Sequence, residues 1–177
     1  MTETPLTKEA WVAAALERFE QPLLRYAARI TRDVELARDV VQDTFLRLCA
    51  AERAEVDAHL GAWLYTVCRN RAFDVRKKEA RMTPMPENAA EARPSGTPAP
   101  GDVAERHEAN AMVLAVLDTL PENQQEAFRL KFNDELTYRE IGRVMDISLG
   151  TVSNLVTTAL MTIRERLRAE MNLAEEV

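Results

Sequence analysis

The stretch TYREIGRVMDISLGTVSNLVTTAL, residues 137–160, predicts two short helices joined by a tight corner. Thr137 and Glu140 have the spacing of a capping box at the start of the first helix. The corner is Asp146-Ile147-Ser148, and Ser148 can cap the second helix. A helix, a three-residue corner and a second helix form a helix-turn-helix, which in DNA-binding proteins places its second helix in the major groove. The alternative is a helical hairpin that serves only packing.

Apolar residues of the second helix recur at spacings of three and four, which predicts a continuous core stripe. They are Val152, Val156, Ala159, Ile163 and Leu167. Gly142 interrupts the first helix at a cost of about 1 kcal/mol, so we expect the two helices to approach closely there. The rest of the quoted stretch after Arg143 contains no Lys or Arg, which is unusual for a helix that binds a polyanion.

Helical periodicity extends over most of the chain. Before residue 83 it predicts helices at residues 8–20 and 22–31, a third capped by Asp33 and a fourth capped by Asp57. Helices at residues 103–118 and 121–132 precede the helix-turn-helix, whose two helices cover residues 137–145 and 148–171. No alternating segment indicates a strand, so we predict an all-α fold.

A proline-rich segment divides these helices into two groups. Residues 84–102 hold five prolines and two glycines, with almost no large apolar side chain to bury. We therefore predict an N-terminal domain at residues 1–82, a flexible linker at 83–103 and a C-terminal domain at 104–177, both domains small and helical.

Charge is distributed unevenly along the chain. The net charge is −6, which argues against indiscriminate nucleic-acid binding. Residues 1–82 carry 14 Lys or Arg and 13 Asp or Glu, a net of +1, and the remaining residues have a net of −7. The sharpest basic cluster is RNRAFDVRKKEAR, residues 69–81, with six basic and two acidic residues.

Further features of the sequence indicate the cellular compartment of the protein. No uncharged apolar run approaches the roughly 20 residues that span a bilayer, and the N-terminus does not resemble a secretory signal. Cys49 and Cys68 both fall in helical apolar patterns without CxxC spacing, which predicts buried core thiols. We expect a protein of the reducing cytoplasm.

Two segments of the N-terminal domain carry candidate binding residues. In ARDVVQDTFLRLCA one helix face is acidic and polar, either a solvated surface or a docking face for a basic partner; its residues are Asp39, Gln42 and Asp43. In AWLYTVCRNRAFDVRKK two aromatic residues precede a group of cations and one amide. These residues are Trp63, Tyr65, Arg69, Asn70, Arg71, Arg76, Lys77 and Lys78. Rings that stack on bases beside cations that hold phosphates suit single-stranded nucleic acid. The alternative is a core Trp63 and a solvated basic helix end.

Together these segments resemble a known family. DVVQDTFLRL, WLYTVCRNRAFDVRKK and LDTLPENQQEAFRLKFNDELTYREIGRVMDISLGTV, in this order across a Pro-rich linker, are similar to the extracytoplasmic-function (ECF) sigma factors, the minimal two-domain members of the sigma-70 family. The resemblance covers residues 11–82 and 104–170 and implies a factor that binds core RNA polymerase and directs promoter-specific initiation.

The resemblance also implies residue roles. Asp39, Gln42 and Asp43 would dock on the clamp helices of the largest polymerase subunit. Trp63 and Tyr65 would assist opening of the minus-ten element, Asn70 would border the pocket for a flipped-out base, and the following cations would hold the strand. The helix-turn-helix would read the minus-thirty-five element in the major groove, and the linker would pass through the RNA-exit path. Two tethered readers add modest contacts by effective concentration.

The chain departs from the family in the recognition helix. The family usually has several arginines after GTV, whereas residues 150–158 here are all neutral. Cations on phosphates supply most sequence-independent affinity, so the C-terminal domain should hold DNA weakly by itself. Neutral side chains can still contact bases. The residues expected at the minus-thirty-five element are Ser148, Gly150, Thr151, Ser153, Asn154, Thr157 and Thr158.

Three other functions are alternatives to a sigma factor. Enzyme activity is not expected, because His59 and His107 lie on opposite sides of the linker without a nucleophile motif, and Cys49, His59 and Cys68 lack a fourth metal ligand. A sigma-like regulator that binds polymerase or an anti-sigma factor, with weak or lost promoter recognition, would explain the neutral helix. A dimeric repressor lacks an obvious dimerisation helix. We expect no cofactor, no metal and no membrane insertion. The expected partners are core polymerase, promoter DNA and, by the resemblance, an anti-sigma factor that binds an otherwise monomeric chain.

Overall fold

The computed structural model describes residues 7–82 and 104–175. The chain divides into two compact units between Gly96 and Thr97. That division falls inside the predicted linker, residues 83–103, which lies outside the described residues. Every regular element in the described ranges is helical, as the sequence predicts.

The first unit packs three long helices against one another. They are α1 (Lys8–Thr31), α2 (Val34–Ala50) and α4 (Leu60–Met82), with a short α3 (Arg53–Val56) and a 3₁₀ turn (Asp57–His59) between the last two. The side chains of Leu23, Leu48 and Leu64 are fully buried between them. Asp33 caps α2 as predicted, because its carboxylate accepts the Leu36 backbone N–H at 2.9 Å.

One continuous helix replaces the two predicted before Thr31. Pro22 lies inside α1 and does not end it. Proline removes a helical hydrogen bond, which usually breaks or kinks a helix. Here the following turn is strongly held, since Leu23 and Ala27 are fully buried and Tyr26 is 4% exposed. Burial of that turn overrides the local preference against an internal proline.

The predicted capping role of Asp57 is wrong. Asp57 begins the 3₁₀ turn, and its two carboxylate oxygens are engaged elsewhere. Oδ1 accepts the indole N–H of Trp11 at 2.8 Å, and Oδ2 accepts Nε of Arg53 at 3.1 Å. Asp57 therefore joins the start of α1 to the segment before α4.

The second unit contains α5 (Ala104–Leu117), α6 (Glu122–Phe132), α7 (Tyr138–Met145) and α8 (Leu149–Glu175). All four agree with the predicted elements to within a few residues. Val116, Leu117 and Leu120 form a core cluster with Ala159 and Ile163 of α8, and Leu167 packs partly buried against it. The predicted stripe of α8 is thereby confirmed, since Val152 and Val156 are also fully buried.

Two arginines tie the helices of the second unit together through hydrogen bonds. Arg129 is 8% exposed, and its Nη2 pairs with Asp118 Oδ1 at 2.6 Å across the α5–α6 connection. Its Nη1 donates to Gln125 Oε1 at 2.9 Å. Arg166 of α8 donates to Thr119 Oγ1 at 2.7 Å. These bonds hold α6 and α8 at the same connection between α5 and α6.

Candidate nucleic-acid interface

The corner between α7 and α8 has the geometry of a helix-turn-helix. The axes of Tyr138–Met145 and Leu149–Ala169 are bent by 104° at the break, within the roughly 90–120° of this motif. The capping box is complete: Glu140 N–H donates to Thr137 Oγ1 at 3.3 Å, and Thr137 N–H donates to Glu140 Oε2 at 2.8 Å. Burial disfavours ionised Glu140, but its hydrogen bonds with Thr137 and the charges of Arg143 and Lys131 give a lowered pKa.

The turn itself is held by backbone bonds and by the predicted cap. Asp146 adopts a left-handed conformation (φ 55°), which Asp tolerates better than most residues. Its N–H and that of Ile147 both bond the Gly142 carbonyl. Ser148 Oγ accepts the Thr151 N–H at 3.1 Å, so Ser148 caps α8 as predicted.

Gly142 is required by the close approach of the chain at this corner. A Cβ at residue 142 would lie 2.9 Å from the Ile147 carbonyl oxygen and 3.8 Å from Val152 Cγ2. The first distance is shorter than a van der Waals contact and involves backbone. The predicted reason for the mid-helix glycine is confirmed, although the nearest neighbour belongs to the corner and only the second to α8.

The outer face of α8 presents the residues predicted to read the minus-thirty-five element. Ser153 is half-buried, and the other six are exposed: Ser148, Gly150, Thr151, Asn154, Thr157 and Thr158. Exposed cations flank this stretch in the sequence: Arg139 and Arg143 on α7, and Arg164, Arg166 and Arg168 further along α8. Arg139 and Arg143 line a cleft of about 360 Å³ together with Tyr138, Asp146 and Leu149. The neutral face is therefore bordered by positive charge at both ends.

On α4, one row of exposed or half-buried side chains combines an aromatic ring, an amide and a cation. Trp63, Asn70 and Lys77 are spaced by seven residues, which returns a helix to nearly the same direction. Trp63 is half-buried, whereas Asn70 and Lys77 are exposed. Each step along the row is about 10.5 Å, so the row follows the helix over roughly 20 Å.

Two cations beside this row pack against the same aromatic ring. The guanidinium carbons of Arg69 and Arg76 each lie 4.7 Å from the centroid of Phe73. Such cation–π contacts contribute about 0.5–1 kcal/mol each at exposed sites. Phe73 itself is half-buried and supports the two arginines. Lys78 follows as an exposed cation.

Tyr65 does not belong to this surface. It is 1% exposed and packs edge-on against Tyr26, with ring centroids 5.2 Å apart. A ring enclosed in the core cannot stack on a base, so the assignment of Tyr65 as a strand contact is corrected to a packing role. Its neighbour Leu64 is also fully buried, which shows that α4 turns this side toward α1 and α2.

On α2 the three predicted docking residues separate into two groups. Asp39 and Gln42 are exposed, whereas Asp43 is half-buried and pairs with Arg71 of α4, Oδ2 to Nε, at 2.6 Å. Leu46, which was not predicted as a site residue, is 61% exposed on the same stripe. Its position four residues after Gln42 and seven after Asp39 was the available signal, because an apolar residue there interrupts a polar face.

The two thiols have different environments. Cys68 is buried, and that burial raises its pKa to about 12, so it stays a neutral thiol. Cys49 is exposed, which contradicts the predicted core position, because it lies on the outer side of α2 one residue after the buried Leu48. Among the side chains that the structure describes, no three of His, Cys, Asp or Glu lie close enough to hold a metal ion. In the described ranges no single helix is long and apolar enough to cross a membrane, and only the bent pair α7–α8 reaches that composition.

Comparison with known proteins gives matches to both units. Residues 15–82 match the family Sigma-70 region 2, and residues 116–165 match Sigma-70, region 4. The ECF sigma factor EcfG of Rhodopseudomonas palustris is 30% identical over 141 residues, covering 78% of this chain and 75% of that protein. The chain belongs to the ECF sigma factors. As an ECF sigma factor it binds core RNA polymerase and directs promoter-specific transcription initiation.

Further relatives of this ECF sigma factor agree over most of its length. SigM of Bacillus subtilis is 27% identical over 157 residues, which is 88% of this chain and 92% of SigM. Among solved structures, the sigma factor RpoE in complex with the anti-sigma factor NepR from Bartonella quintana has a TM-score of 0.61 at 22% identity. It covers 88% of this chain and 96% of RpoE, and it supports the fold.

Proposed function

We propose that this sigma factor opens the minus-ten element with the face of α4 that carries Trp63, Asn70 and Lys77. The observation that supports this proposal is the spacing of seven residues within the row, which aligns a ring, an amide and a cation along one side of α4 over roughly 20 Å. Trp63 stacks on an unpaired base, and Asn70 reads the edge of a flipped base. Lys77 and Lys78 hold the backbone by charge.

Arg69 and Arg76 strengthen this surface through Phe73. The two guanidinium groups concentrate positive charge beside the row, which favours a phosphate backbone. Because Phe73 already limits their rotamers, less side-chain entropy is lost when the strand binds.

The docking surface for polymerase is the exposed stripe of α2. Asp39 and Gln42 supply polar groups for a basic partner, and Leu46, one turn further along the stripe, supplies an exposed apolar side chain. The three exposed side chains together therefore suit a basic partner that also offers an apolar contact.

The minus-thirty-five element is read by the neutral face of α8, with Asn154 and the threonine hydroxyl and methyl groups contacting base edges. Arg139 and Arg143 on α7 contact the phosphates, as the first helix of this motif crosses the backbone. The cations lie at the borders of the reading face. This domain therefore contributes more to the position of the protein on the promoter than to its affinity for DNA, and tethering by polymerase supplies the remaining affinity.

The decisive experiment separates polymerase binding from promoter opening. Core polymerase is reconstituted with Trp63→Ala, Asn70→Ala, Asp39→Ala and the wild-type chain, and promoters are first selected from a genomic library by run-off transcription. We expect Trp63→Ala and Asn70→Ala to lower opening, read by permanganate reactivity of unpaired thymines, about tenfold or more at unchanged core affinity. Asp39→Ala should lower core affinity instead. Equal loss of both activities in all variants would contradict the assignment.

We propose that the chain acts in the cytoplasm without catalysing a reaction itself, and that it is monomeric until it meets polymerase or an anti-sigma factor. The similar fold of RpoE, solved with the anti-sigma factor NepR, supports a partner of that class. Co-purification from the native cell, followed by competition with core polymerase, tests this partner directly.

A further inference from the structure

An ion pair joins the two surfaces to which the functional roles were assigned. Asp43 of α2 was expected to dock on polymerase and Arg71 of α4 to hold DNA, yet the two side chains bind each other at 2.6 Å. Both are 40% exposed, so the pair sits at the seam between α2 and α4 and is open to solvent on one side. A charge-assisted bond of this length already uses the Nε–H of Arg71 and one oxygen of Asp43.

The helical position of Arg71 separates it from the strand-binding row. It follows Asn70 by one residue, a rotation of about 100°, and so points away from the line of Trp63, Asn70 and Lys77. The next residue, Ala72, is fully buried. Arg71 therefore lies on the side of α4 that faces α2, between the core and the row.

Asp43 occupies the matching position on α2. Thr44 beside it is fully buried and donates its hydroxyl to the Val40 carbonyl of the same helix at 2.8 Å, so this turn of α2 borders the core. Asp43 is half-buried, in contrast to the exposed Asp39 and Gln42. Its charge is compensated by Arg71, which leaves less of it for a basic partner.

We infer that Asp43 and Arg71 form a positioning unit between α2 and α4, and that neither is a contact of the polymerase-docking or strand-binding surface. This inference rests on the proposed function, because it assigns the two residues within that site. Asp43 fixes the direction of Arg71, and the pair sets how the strand-binding row of α4 is oriented relative to the docking stripe of α2. Asp43 also neutralises a cation that would otherwise bind phosphate.

The salt dependence of DNA binding distinguishes a positioning pair from two surface contacts. Holoenzyme made with each variant is bound to a fork-junction promoter whose minus-ten region is single-stranded, over a range of salt concentration. Each phosphate contact to a single strand adds about 0.7 to the slope of log K against log salt. Arg71→Gln is expected to leave this slope unchanged, and Asp43→Asn to steepen it by about 0.7, because the guanidinium is released. Asp43→Glu, which keeps the pair, should restore the wild-type slope.

Core affinity provides the second readout. Asp43→Asn is expected to keep core affinity within twofold. A flatter slope with Arg71→Gln, an unchanged slope with Asp43→Asn, or a tenfold loss of core affinity with Asp43→Asn would each overturn the inference. Lys77→Gln and Asp39→Ala test the surfaces themselves. If these two have no effect, the proposed function fails, while the slope of Asp43→Asn still decides whether Asp43 keeps Arg71 from binding phosphate.

Discussion

The indole N–H of Trp11 donates a hydrogen bond to Asp57 Oδ1 at 2.8 Å, across 46 positions of the chain. Trp11 is 4% exposed, and Arg53 completes the group, with its Nε on Asp57 Oδ2 and its guanidinium carbon 5.8 Å from the Trp11 ring centroid. The group connects the first turns of α1 to the segment that precedes α4. The direction in which α4 begins is therefore tied to α1 by a polar contact as well as by the core.

Acid should weaken the first unit through Asp57. Its pKa is lowered, chiefly by the hydrogen bond from Trp11 and further by Arg53. A carboxyl whose folded pKa lies below its unfolded value of about 3.9 stabilises the fold above that value and loses this contribution as pH falls through the folded pKa. Thermal unfolding between pH 7 and 3 should show Tm falling at the acid end. Asp57→Asn should lower Tm at pH 7 and flatten the acid dependence, and parallel curves for the two proteins would argue against this role.

Truncation of Leu46 should weaken docking without weakening the fold. The side chain is exposed, so Leu46→Ala should change the free energy of unfolding by no more than about 0.5 kcal/mol. At the centre of an interface the same change costs more than about 1 kcal/mol, and we expect core affinity to fall about tenfold, or 1.4 kcal/mol. Leu16→Ala on α1, an exposed leucine at 40%, is the matched control and should retain wild-type affinity.

Tyr65 and Trp63, two residues apart, should give opposite phenotypes. Tyr65→Ala removes a buried ring and should lower the free energy of unfolding by about 3–5 kcal/mol, with promoter opening lost in proportion to folded protein. Trp63→Ala should lower opening with a smaller loss of stability. Denaturant unfolding followed by circular dichroism, next to permanganate footprinting of the holoenzyme, compares the two. A stable Tyr65→Ala protein with defective opening would restore Tyr65 to the strand surface.

Gly142→Ala should destabilise the second unit alone. The added methyl group would lie 2.9 Å from the Ile147 carbonyl oxygen, so the corner must shift, at a cost of about 1–3 kcal/mol despite the better helix propensity of alanine. Both tryptophans of the chain, Trp11 and Trp63, belong to the first unit. The transition seen by tryptophan fluorescence should therefore stay in place while part of the circular dichroism transition moves to lower denaturant. Gly150→Ala is the control, since a Cβ there meets only Ser148 Oγ at 3.9 Å.

The neutral recognition helix should make the free chain a poor DNA binder. Without polymerase we expect only non-specific affinity for promoter duplex, with a Kd of about 10⁻⁴–10⁻⁶ M at physiological salt. Thr157→Arg places a cation on the exposed face of α8 and should tighten duplex binding and steepen the salt slope by about 0.9. Tight sequence-specific binding by the wild-type chain alone, measured by fluorescence anisotropy, would contradict this account.

The sequence predicted what local rules determine. The caps at Asp33, Thr137 and Ser148 and the stripe of α8 follow from spacing within a few turns, and all are confirmed. The prediction of two helices separated before Pro22 was wrong because burial of the turn after this proline, a tertiary effect, keeps α1 continuous. The prediction of Asp57 as a helix cap was wrong for a similar reason, since its partner Trp11 is far away in sequence.

The binding surface was harder to predict because three-dimensional packing decides which side chains are available. A cluster of aromatic residues and cations identified α4, but only the packing of α1 and α2 on it shows that Tyr65 is enclosed while Asn70 is exposed. The pairing of Asp43 with Arg71 spans 28 positions, beyond any helical spacing. The helical period therefore predicts the helix, but it does not predict which of its residues pack in the core and which are available for binding.

The difference between the two thiols allows the native chain to be labelled with a dye at a single cysteine. Cys68 is buried with a pKa raised to about 12, so a maleimide dye should couple to the exposed Cys49 alone. Cys49 lies three residues after Leu46 on the outer side of α2, next to the stripe expected to meet polymerase. A single dye attached there, with no engineered cysteine, would change its emission as the docking face becomes covered, which turns holoenzyme assembly into a directly observable kinetic event.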